Sequence, residues 1–259
     1  MRAPLPPDFL RIPIAHRALH DRAQGRIENA PAAIAAAIAA GYAIEIDVQL
    51  SSDGVAMVFH DEELDRLTPA HGPLNRHSAA QLGQITLTGS TDRIPTLAQV
   101  LHLVAGRVPL LIELKDQTLD LSDSDGALER ATAAALAGYT GPVALMSFNP
   151  SMVAHMARLM PDTPRGLTTS SYDYDDWHPV PAATCDRLRD IPDYDAVGAS
   201  FLSHQGDDLA RPRLAQLQAQ GADILCWTIR SPQQEALARQ VARNVTFEGY
   251  LPAIPAAAS

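Results

Sequence analysis

Cysteine is scarce in this 259-residue sequence, which contains only Cys185 and Cys226, far apart along the chain. Two distant cysteines cannot build the several cross-links of a disulfide-rich fold, and they are too few for a cysteine-ligated zinc site. Any metal ion in this protein therefore has to be held by oxygen or imidazole ligands.

Long apolar runs are also missing. No stretch reaches the roughly 18 apolar residues of a membrane-spanning helix, so the sequence predicts no stable membrane insertion. The first residues are interrupted by Pro4, Pro6, Pro7 and Pro13 and do not form the apolar segment of a secretory signal. We therefore expect a cytoplasmic protein.

Positive charge is in the minority, with 20 Lys and Arg residues against 30 Asp and Glu residues and a net charge of −10. This balance disfavours docking on nucleic acid or on an anionic membrane surface, so we expect a small-molecule partner. The hydrophobic fraction of 46% is high enough for a packed core and excludes a disordered chain. The composition leaves the oligomeric state open.

Lysine is the rarest charged residue, because Lys115 is the single lysine of the chain. A general bias toward arginine would explain this, with one lysine left by chance. The alternative is a site that needs a compact ammonium group, which the planar guanidinium of arginine cannot replace. The neighbours of Lys115, described below, favour the second explanation.

Short runs rich in Ile, Val and Leu alternate with Ala- and Leu-rich stretches of helical period. This alternation is typical of strands and helices that take turns around a parallel sheet. Such runs spread over about 250 residues without a linker predict one domain over residues 1–259, an α/β fold of the (β/α)8 TIM-barrel type. The predicted strands are 12–17, 43–50, 110–115, 143–148, 165–169, 196–202, 224–229 and 245–250. The predicted helices are 30–40, 97–105, 127–137, 151–159, 209–220 and 233–242, with an irregular crossover at 172–195.

A further strand-like run, 55–59, follows the second predicted strand after a turn too short for a parallel crossover. We therefore expect a short antiparallel hairpin arm. If Asp53 and Gly54 form a two-residue turn, counting outwards sets His60 opposite Asp47 on the same face of the sheet.

Two features flank this arm. The polar segment 62–93 that follows it predicts an inserted loop or small lid. Before it, Asn29 is the predicted N-cap of the first barrel helix, and Gly41 is the predicted left-handed residue that ends it.

Ionisable residues concentrate at the carboxyl ends of the first predicted strands, where catalytic groups lie in TIM barrels. Barrel strands are buried on both faces, so each of these groups must be paired, bound to a ligand or placed at a wet opening. These residues are His16 and Arg17, Glu45 and Asp47, His60 on the hairpin arm, and Glu113 and Lys115.

Three carboxylates are expected to converge at these ends. Glu45 and Asp47 are two residues apart on a strand and point the same way, and Glu113 lies on the next strand of the barrel. Their mutual repulsion is removed by a divalent cation, and such hard oxygen ligands suit Mg²⁺ or Ca²⁺. The alternative is a structural ion network in which Glu45 and Glu113 pair with Arg17 and Lys115.

His16 and His60 are the natural proton-transfer pair, one as base and one as acid, because imidazole titrates near neutral pH. Arg17 and Lys115 supply positive charge for an anionic group such as a phosphate. Together with the acids, this set predicts metal-assisted phosphoryl chemistry.

Other candidates are weaker. Phe148 and Trp227, at strand ends, either wall the substrate pocket or pack in the core. The segment 172–177 predicts a solvated or a substrate-facing loop, and Asp61 either holds the tautomer of His60 or caps the loop. The remaining histidines are interpreted as surface or packing residues in loops or helices: His20, His71, His77, His102, His155, His178 and His204.

Taken in order, the motifs of this sequence resemble those of the glycerophosphodiester phosphodiesterases over most of the chain. No single motif carries the resemblance, which makes it specific. The matching motifs are His16-Arg17, Glu28-Asn29, Glu45-x-Asp47-Val48, Asp53-Gly54, Val58-x-His60-Asp61, Pro95-Thr96-Leu97, Glu113-x-Lys115, Ser147-Phe148 and Trp227-Thr228.

The resemblance implies hydrolysis of glycerophosphodiesters to glycerol 3-phosphate and an alcohol, a reaction of lipid and glycerol metabolism. It implies attack by the glycerol 2-hydroxyl, giving a cyclic phosphate that water opens. The leaving alcohol, the choice between Mg²⁺ and Ca²⁺ and the nature of the nucleophile stay open. The implied roles are acid and base for His16 and His60, one metal ion for Glu45, Asp47 and Glu113, and phosphate contacts for Arg17 and Lys115.

The sequence departs from the family pattern at two places. Ala18 stands where the family usually has glycine after His-Arg, a change expected to narrow the phosphate pocket slightly. Near the C-terminus, Glu248 stands within 247–252 where the family usually has Thr-Asp-Tyr-Pro. Glu248 is expected to orient a histidine, to reach a substrate hydroxyl or to pair with Arg17.

Two rival functions fit part of the sequence. A lysophospholipase D-like enzyme, or another phosphodiesterase acting on phospholipid head groups, would keep the barrel and metal but need an apolar groove near 62–93, and that segment is polar. A non-catalytic phosphate-binding protein would have a damaged acid/base pair, yet His16 and His60 are both present.

Overall fold

The computed structural model of this chain describes residues 2–256, and nine strands of that part form one sheet. The strands are β1 (Ile14–Ala15), β2 (Ala43–Leu50), β3 (Ala56–Val58), β4 (Leu110–Leu114), β5 (Val143–Ser147), β6 (Arg165–Thr169), β7 (Phe201–Gln205), β8 (Asp223–Ile229) and β9 (Asn244–Phe247). The helices are α1 (Asp8–Arg11), α2 (Pro31–Ala40), α3 (Ala79–Leu82), α4 (Leu97–Val104), α5 (Ala127–Leu136), α6 (Pro150–Leu159), α7 (Ala182–Arg189), α8 (Pro212–Ala219) and α9 (Pro232–Ala238).

Eight of these strands close into a parallel ring. Each pairs with its sequence neighbours in the ring, and β1 pairs with both β9 and β2, which closes the barrel. The remaining strand, β3, lies outside the ring and runs antiparallel to β2. The predicted (β/α)8 barrel with a hairpin arm is therefore confirmed.

The seventh barrel strand differs from the prediction. The apolar run 196–202 was expected to be this strand, but β7 begins only at Phe201. Gly198 adopts the left-handed region at φ +63°, and Val197 donates its N–H to Asp193 O, so this part of the run forms a turn. The run is apolar because Val197 and Ala199 pack into the core against the outside of the barrel.

The hairpin register is shifted by one residue from the expected pairing. Val48 pairs with Val58, and Phe59 N donates to Asp47 O, so Phe59 rather than His60 lies opposite Asp47. The reason is the turn, which has three residues instead of two, with Gly54 left-handed at φ +80°. Beyond β3 the chain leaves the ladder, which still brings His60 to the barrel opening.

The lower end of the barrel is closed by the N-terminal segment. Phe9 of α1 is fully buried among inward-facing strand residues, including Leu111 and Phe201. Asn244 of β9 fixes this segment by donating its side-chain N–H groups to Phe9 O and Ile12 O. Because this end is plugged, the opposite end, at the carboxyl ends of the strands, is the one open to a ligand.

The segment 62–93 carries its own apolar cluster on top of the hairpin arm. Leu64, Leu67 and Leu74 of this segment pack with Met57 and Phe59. The segment is therefore polar on its surface and apolar beneath, which is why its composition alone predicted only a loop.

Among residues 2–256, no helix has both the length and the apolar character needed to span a bilayer. The cytoplasmic location expected from the sequence stays a prediction.

His204 differs from its expected place, because it lies on β7 rather than in a loop or helix. Its side chain is fully buried behind the barrel wall, with Nδ1 2.8 Å from Thr169 Oγ1 and Nε2 3.0 Å from Asp208 Oδ2. Burial lowers the pKa of His204 below 6.5, although Asp208 opposes the shift.

This lowered pKa predicts a pH-dependent stability. Well above pH 6.5 His204 is neutral in the folded and the unfolded state, so its protonation does not affect stability. As the pH falls towards and below 6.5, the unfolded chain takes up a proton first and the fold is destabilised. Denaturant unfolding at pH 7.5, 6.5 and 5.5 should show a steeper loss of stability in the wild type than in His204→Gln. The exposed His102→Gln is the matched control, and equal slopes for the wild type and His204→Gln would contradict the prediction.

Candidate active site

The ionisable residues singled out in the sequence meet in one small cavity of about 50 Å³ at the carboxyl ends of the strands. Glu248 alone of the predicted site residues does not line it, and Met146 and Thr246 are additional lining residues. The predicted residues that line it are His16, Arg17, Glu45, Asp47, His60, Glu113, Lys115, Phe148 and Trp227.

Three buried carboxylates form the floor of this cavity. Glu45, Asp47 and Glu113 each offer an oxygen, and these oxygens all lie within 4.8 Å of one another. Asp47 and Glu113 are direct cross-strand partners on β2 and β4. Their side chains are almost fully buried, so the cluster carries negative charge out of contact with bulk water.

The charge of this cluster is incompletely compensated. Burial raises the pKa of Glu45 well above its usual value, and the charges of Asp47 and Glu113 raise it further. Three converging carboxylate oxygens are a donor set suited to a hard divalent cation, which would also relieve this repulsion. The residues present therefore fit a metal ion.

Asp47 is held from two sides. Asn29 donates its side-chain N–H to Asp47 Oδ2 at 2.9 Å and accepts the backbone N–H of Asp47 at 3.1 Å. Burial works to raise the pKa of Asp47, but the neighbouring His60, Lys115 and Arg17 hold it well below its usual range. Asp47 is therefore ionised, and its side chain is held in place.

Asn29 was expected to cap α2, and this expectation is wrong. The N-cap of α2 is Ala30, without a side-chain cap, and Asn29 stands before it in the left-handed region at φ +62°. This backbone conformation turns the amide away from the helix and toward Asp47. The predicted left-handed Gly41 at the end of α2 is confirmed.

Lys115 lies between an acid and a histidine. Its Nζ is 2.8 Å from Glu113 Oε1, 3.6 Å from Asp47 Oδ1 and 3.2 Å from His60 Nε2. Burial works to lower the pKa of Lys115, but Glu113 and Asp47 raise it above its usual value. Lys115 is therefore an ammonium donor, and in this contact His60 Nε2 is the acceptor.

The two histidines are oriented in the same way. His60 Nδ1 lies 2.7 Å from Asp61 Oδ1, and His16 Nδ1 lies 2.8 Å from Glu248 Oε2. A carboxylate on Nδ1 fixes the tautomer in which Nδ1 carries the proton and Nε2 is free to accept one. In both rings, Nδ1 is therefore the nitrogen that contacts the carboxylate.

Glu248 contacts His16 and not Arg17. Arg230 donates its Nε–H to Glu248 Oε1 at 2.7 Å, and His20 Nε2 lies 3.6 Å from Oε2. His20, expected to be a surface or packing residue, therefore lies at the edge of this group. Burial lowers the pKa of His16, and the hydrogen bond that His16 donates to Glu248 opposes the shift.

Arg17 is held in a left-handed conformation at φ +50°, two residues after the end of β1. Its backbone N–H donates to Glu45 Oε2 at 2.8 Å, and Nη1 donates to Glu28 Oε1 at 2.7 Å. Its Nε is buried 3.6 Å from Asp47 Oδ2, without a hydrogen-bond partner in the part of the chain that the structure describes. The alternative ion network is realised only in part: Glu113 pairs with Lys115, whereas Glu45 contacts only the backbone of Arg17.

Ala18 follows in the same backbone region, at φ +65°. It is buried in the core and is not among the residues that line the cavity, so the expected narrowing of the phosphate pocket is wrong. A side chain at this φ is strained, which is the cost of alanine in place of glycine.

Aromatic rings form one wall of the cavity. The rings of Phe148 and Trp227 meet edge to face at a centroid distance of 5.5 Å, and Trp227 donates its indole N–H to Ser203 O. Behind them, Trp177 packs on Phe148 at 4.8 Å and on the fully buried Tyr172. The two ends of the segment 172–177 therefore support this wall through Tyr172 and Trp177, whereas residues 173–176 between them are exposed to solvent.

Three residues that organise the site were not assigned to it by residue reasoning: Glu28, Asn29 and Arg66. Glu28 appeared only within the matched family motif, and Asn29 was otherwise predicted only as a helix N-cap. Arg66 of the polar segment contacts both Glu28 and Asp61, and nothing in its sequence spacing indicates this.

The sequence is similar to those of curated proteins. A Bacillus subtilis (strain 168) protein provisionally named a glycerophosphodiester phosphodiesterase is 25% identical over 202 residues, 74% of this chain and 76% of its own length. A Caldanaerobacter subterraneus subsp. tengcongensis glycerophosphodiester phosphodiesterase is 28% identical over 159 residues, 58% of this chain and 65% of its own length.

Solved structures share the fold. An Oleispira antarctica phosphodiesterase, solved with its product sn-glycerol 3-phosphate, superposes with a TM-score of 0.73 at 23% identity, over 92% of this chain and 93% of its own. The Thermotoga maritima glycerophosphodiester phosphodiesterase gives a TM-score of 0.68 at 19% identity, over 91% and 94%. The model of the glycerophosphoryl diester phosphodiesterase family matches residues 16–246. This chain therefore belongs to the glycerophosphoryl diester phosphodiesterase family of phosphoric diester hydrolases.

Proposed function

We propose that this chain hydrolyses glycerophosphodiesters to sn-glycerol 3-phosphate and an alcohol by acid/base catalysis between His16 and His60. The observation that carries this proposal is the shared cavity, which both histidines line together with the three buried acids. The product held by the Oleispira antarctica relative supports the substrate class.

Arg17 and Lys115 bind the phosphodiester in this proposal. Both line the cavity, and the buried Nε–H of Arg17 has no hydrogen-bond partner among residues 2–256, so it is available to an anionic oxygen. Lys115 supplies a point charge on the opposite side, beside Glu113. Two cations of different shape hold the phosphorus centre between the histidines.

The histidines move the protons. One histidine takes the proton of the attacking hydroxyl at Nε2, and the other gives a proton from Nε2 to the leaving alkoxide. The imidazolium that forms is stabilised through Nδ1, by Asp61 for His60 and by Glu248 for His16. The attacking hydroxyl is the substrate's own 2-hydroxyl or water.

Glu45, Asp47 and Glu113 are the proposed ligands of one divalent cation, Mg²⁺ or Ca²⁺. When bound, this ion would offset the negative charge that builds up on the phosphate oxygens in the transition state. Lys115 stays beside Glu113 and limits the negative charge that the cluster presents to an incoming phosphate.

Phe148 and Trp227 are proposed to pack against the carbon atoms of the glycerol moiety, because they are the aromatic rings lining the cavity. For Glu248 we propose a positioning role on His16 instead of direct contact with substrate, since it accepts from His16 and does not line the cavity.

The test is a panel of glycerophosphodiesters with different alcohols, assayed in EDTA and then with added Mg²⁺, Ca²⁺ or Mn²⁺. We expect release of sn-glycerol 3-phosphate that stops in EDTA and returns with metal. Turnover of lysophospholipids alone would favour the lysophospholipase D-like alternative. Binding of sn-glycerol 3-phosphate without any turnover would favour the phosphate-binding alternative and contradict the proposal.

A further inference from the structure

One guanidinium group outside the cavity connects two carboxylates behind it. Arg66 donates to Asp61 through Nε at 2.6 Å and Nη2 at 2.8 Å. It donates to Glu28 through Nη1 at 2.9 Å and Nη2 at 2.7 Å. Both contacts are therefore two-pronged, and Nη2 is shared between the two acids.

Each of these carboxylates leads to a different residue of the cavity. Asp61 holds Nδ1 of His60 at 2.7 Å, and Glu28 holds Nη1 of Arg17 at 2.7 Å. Asp61 and Glu28 are 33 positions apart in sequence, so only a contact through space can fix one relative to the other. Arg66 supplies that contact.

The backbone that carries Arg66 is anchored. Leu64 and Leu67, on either side of it, are buried in the apolar cluster that 62–93 shares with the hairpin arm. The same segment is tied to the barrel at two other points: Ala32 N donates to Asp92 Oδ2, and Ser52 N donates to His77 O, both at 2.9 Å.

We infer that Arg66 is a positioning residue that sets His60 and Arg17 relative to each other, and that 62–93 acts as a fixed brace of the site. This inference rests on the proposed roles of His60 and Arg17. It gives the inserted segment 62–93 a positioning function, which differs from the lid role predicted from the sequence.

The chemistry of the contacts favours positioning over simple stability. Arg66 is 45% exposed at its side chain, so its ion pairs add little to the free energy of unfolding. A planar guanidinium nevertheless fixes the angle between two carboxylates, which a lysine ammonium cannot do. Burial works to raise the pKa of Glu28, but hydrogen bonds from Arg66 and the charge of Arg17 lower it to about 2, so Glu28 stays ionised.

The first experiment compares Arg66→Ala with Arg66→Lys and with Arg93→Ala, using the metal-loaded enzyme. Arg93 is an exposed arginine of the same segment whose guanidinium contacts Gln84, and it is the matched control. We expect Arg66→Ala and Arg66→Lys to lose about 10- to 100-fold in kcat/KM, because small displacements of reacting groups cost that much. The melting temperature and the activity of Arg93→Ala should stay at wild-type values.

Chemical rescue distinguishes positioning from a folding defect. Because Arg66 is partly exposed, added guanidinium ions can enter the gap left by Arg66→Ala, and they should restore part of kcat without changing the wild type. A misfolded variant would gain nothing from guanidinium.

Double-mutant cycles separate the contact of Arg66 with Asp61 from its contact with Glu28. We expect Arg66→Ala to change kcat mainly through Asp61 and KM mainly through Glu28, since these acids hold the proton-transfer and phosphate-binding residues. In the Asp61→Asn background the effect of Arg66→Ala on kcat should shrink, and in Glu28→Gln its effect on KM should shrink. Fully additive effects in both cycles would overturn the inference.

A binding measurement keeps this inference separate from the proposed reaction. Calorimetry with sn-glycerol 3-phosphate should show about tenfold weaker binding to Arg66→Ala, a coupling size usual for contacting residues. If the wild type turns over no diester, the proposed function fails while this measurement still tests the contact of Arg66 with Glu28. Unchanged binding of sn-glycerol 3-phosphate by Arg66→Ala would overturn the inference. A kcat of Arg66→Ala equal to or above the wild-type value, the result expected if 62–93 were a lid, would also overturn it.

Discussion

Replacing His60 with alanine is expected to lower kcat by about 100-fold or more, the size usual for losing a general acid or base. His60 is the residue whose Nε2 accepts from Lys115 inside the cavity while Asp61 holds Nδ1. Alanine removes the proton acceptor and leaves both neighbours in place. Steady-state kinetics over pH 5 to 9, with metal at saturation, measure the loss.

His16→Ala is expected to lose as much, because His16 is the other member of the pair and has a matching carboxylate in Glu248. His102 is exposed on α4 and supplies the control, since His102→Ala removes an imidazole without touching the cavity. Circular dichroism and melting temperature establish that each variant is folded. Wild-type turnover in both His16→Ala and His60→Ala would remove the acid/base assignment.

The second large effect is expected at the acidic cluster, where Glu45→Gln should change activity and stability in opposite directions. With metal present, activity should fall by about 100- to 1000-fold, because a ligand of the charge-stabilising ion is lost. In EDTA, Glu45→Gln should melt about 2–4 °C above the wild type, since it removes a carboxyl group whose ionised form is disfavoured by burial and by the charges of Asp47 and Glu113.

Of the three acids, Glu45 is the one whose replacement by glutamine disturbs the fewest other contacts. Its carboxylate accepts the backbone N–H of Arg17, and the amide oxygen of glutamine can accept the same bond. Glu113→Gln would also break the ion pair with Lys115, so its effects are less specific. It is the second variant of this test, and we expect it to lose metal dependence. The exposed Glu63→Gln is the control, and a Glu45→Gln variant that keeps wild-type metal affinity would contradict the assignment.

The barrel and the residues that form the site could be predicted from the sequence for simple geometric reasons. Residues two apart on a strand share a face, which places Glu45 beside Asp47 and Glu113 beside Lys115. The carboxyl ends of barrel strands converge, which brings these pairs to one opening. No knowledge of loop conformation was needed for this step.

Predictions that depended on single backbone conformations were wrong. The hairpin register shifted because Gly54 makes a three-residue turn, and β7 started late because Gly198 is left-handed. Asn29 satisfied every compositional rule for an N-cap, yet its left-handed backbone directs the amide to Asp47. Propensity rules state what a residue can do, and tertiary contacts decide among the options.

Contacts made through long side chains could not be predicted from the sequence, for a different reason. Glu248 had three possible partners in the sequence, and only the closed ring shows that His16 is the one it contacts. Arg66 bridges Glu28 and Asp61 across folded segments, so no spacing along the chain encodes the bridge. Such links depend on how loops pack, which periodicity does not report.

The most direct test of the central claim is a crystal structure of the protein with Mn²⁺ and sn-glycerol 3-phosphate, using the anomalous signal to locate the metal. We predict one manganese peak bound by oxygens of Glu45, Asp47 and Glu113. The phosphate should lie against Arg17 and Lys115, with His16 and His60 on either side of it. A metal peak away from the three acids, or a phosphate bound outside this cavity, would contradict the account.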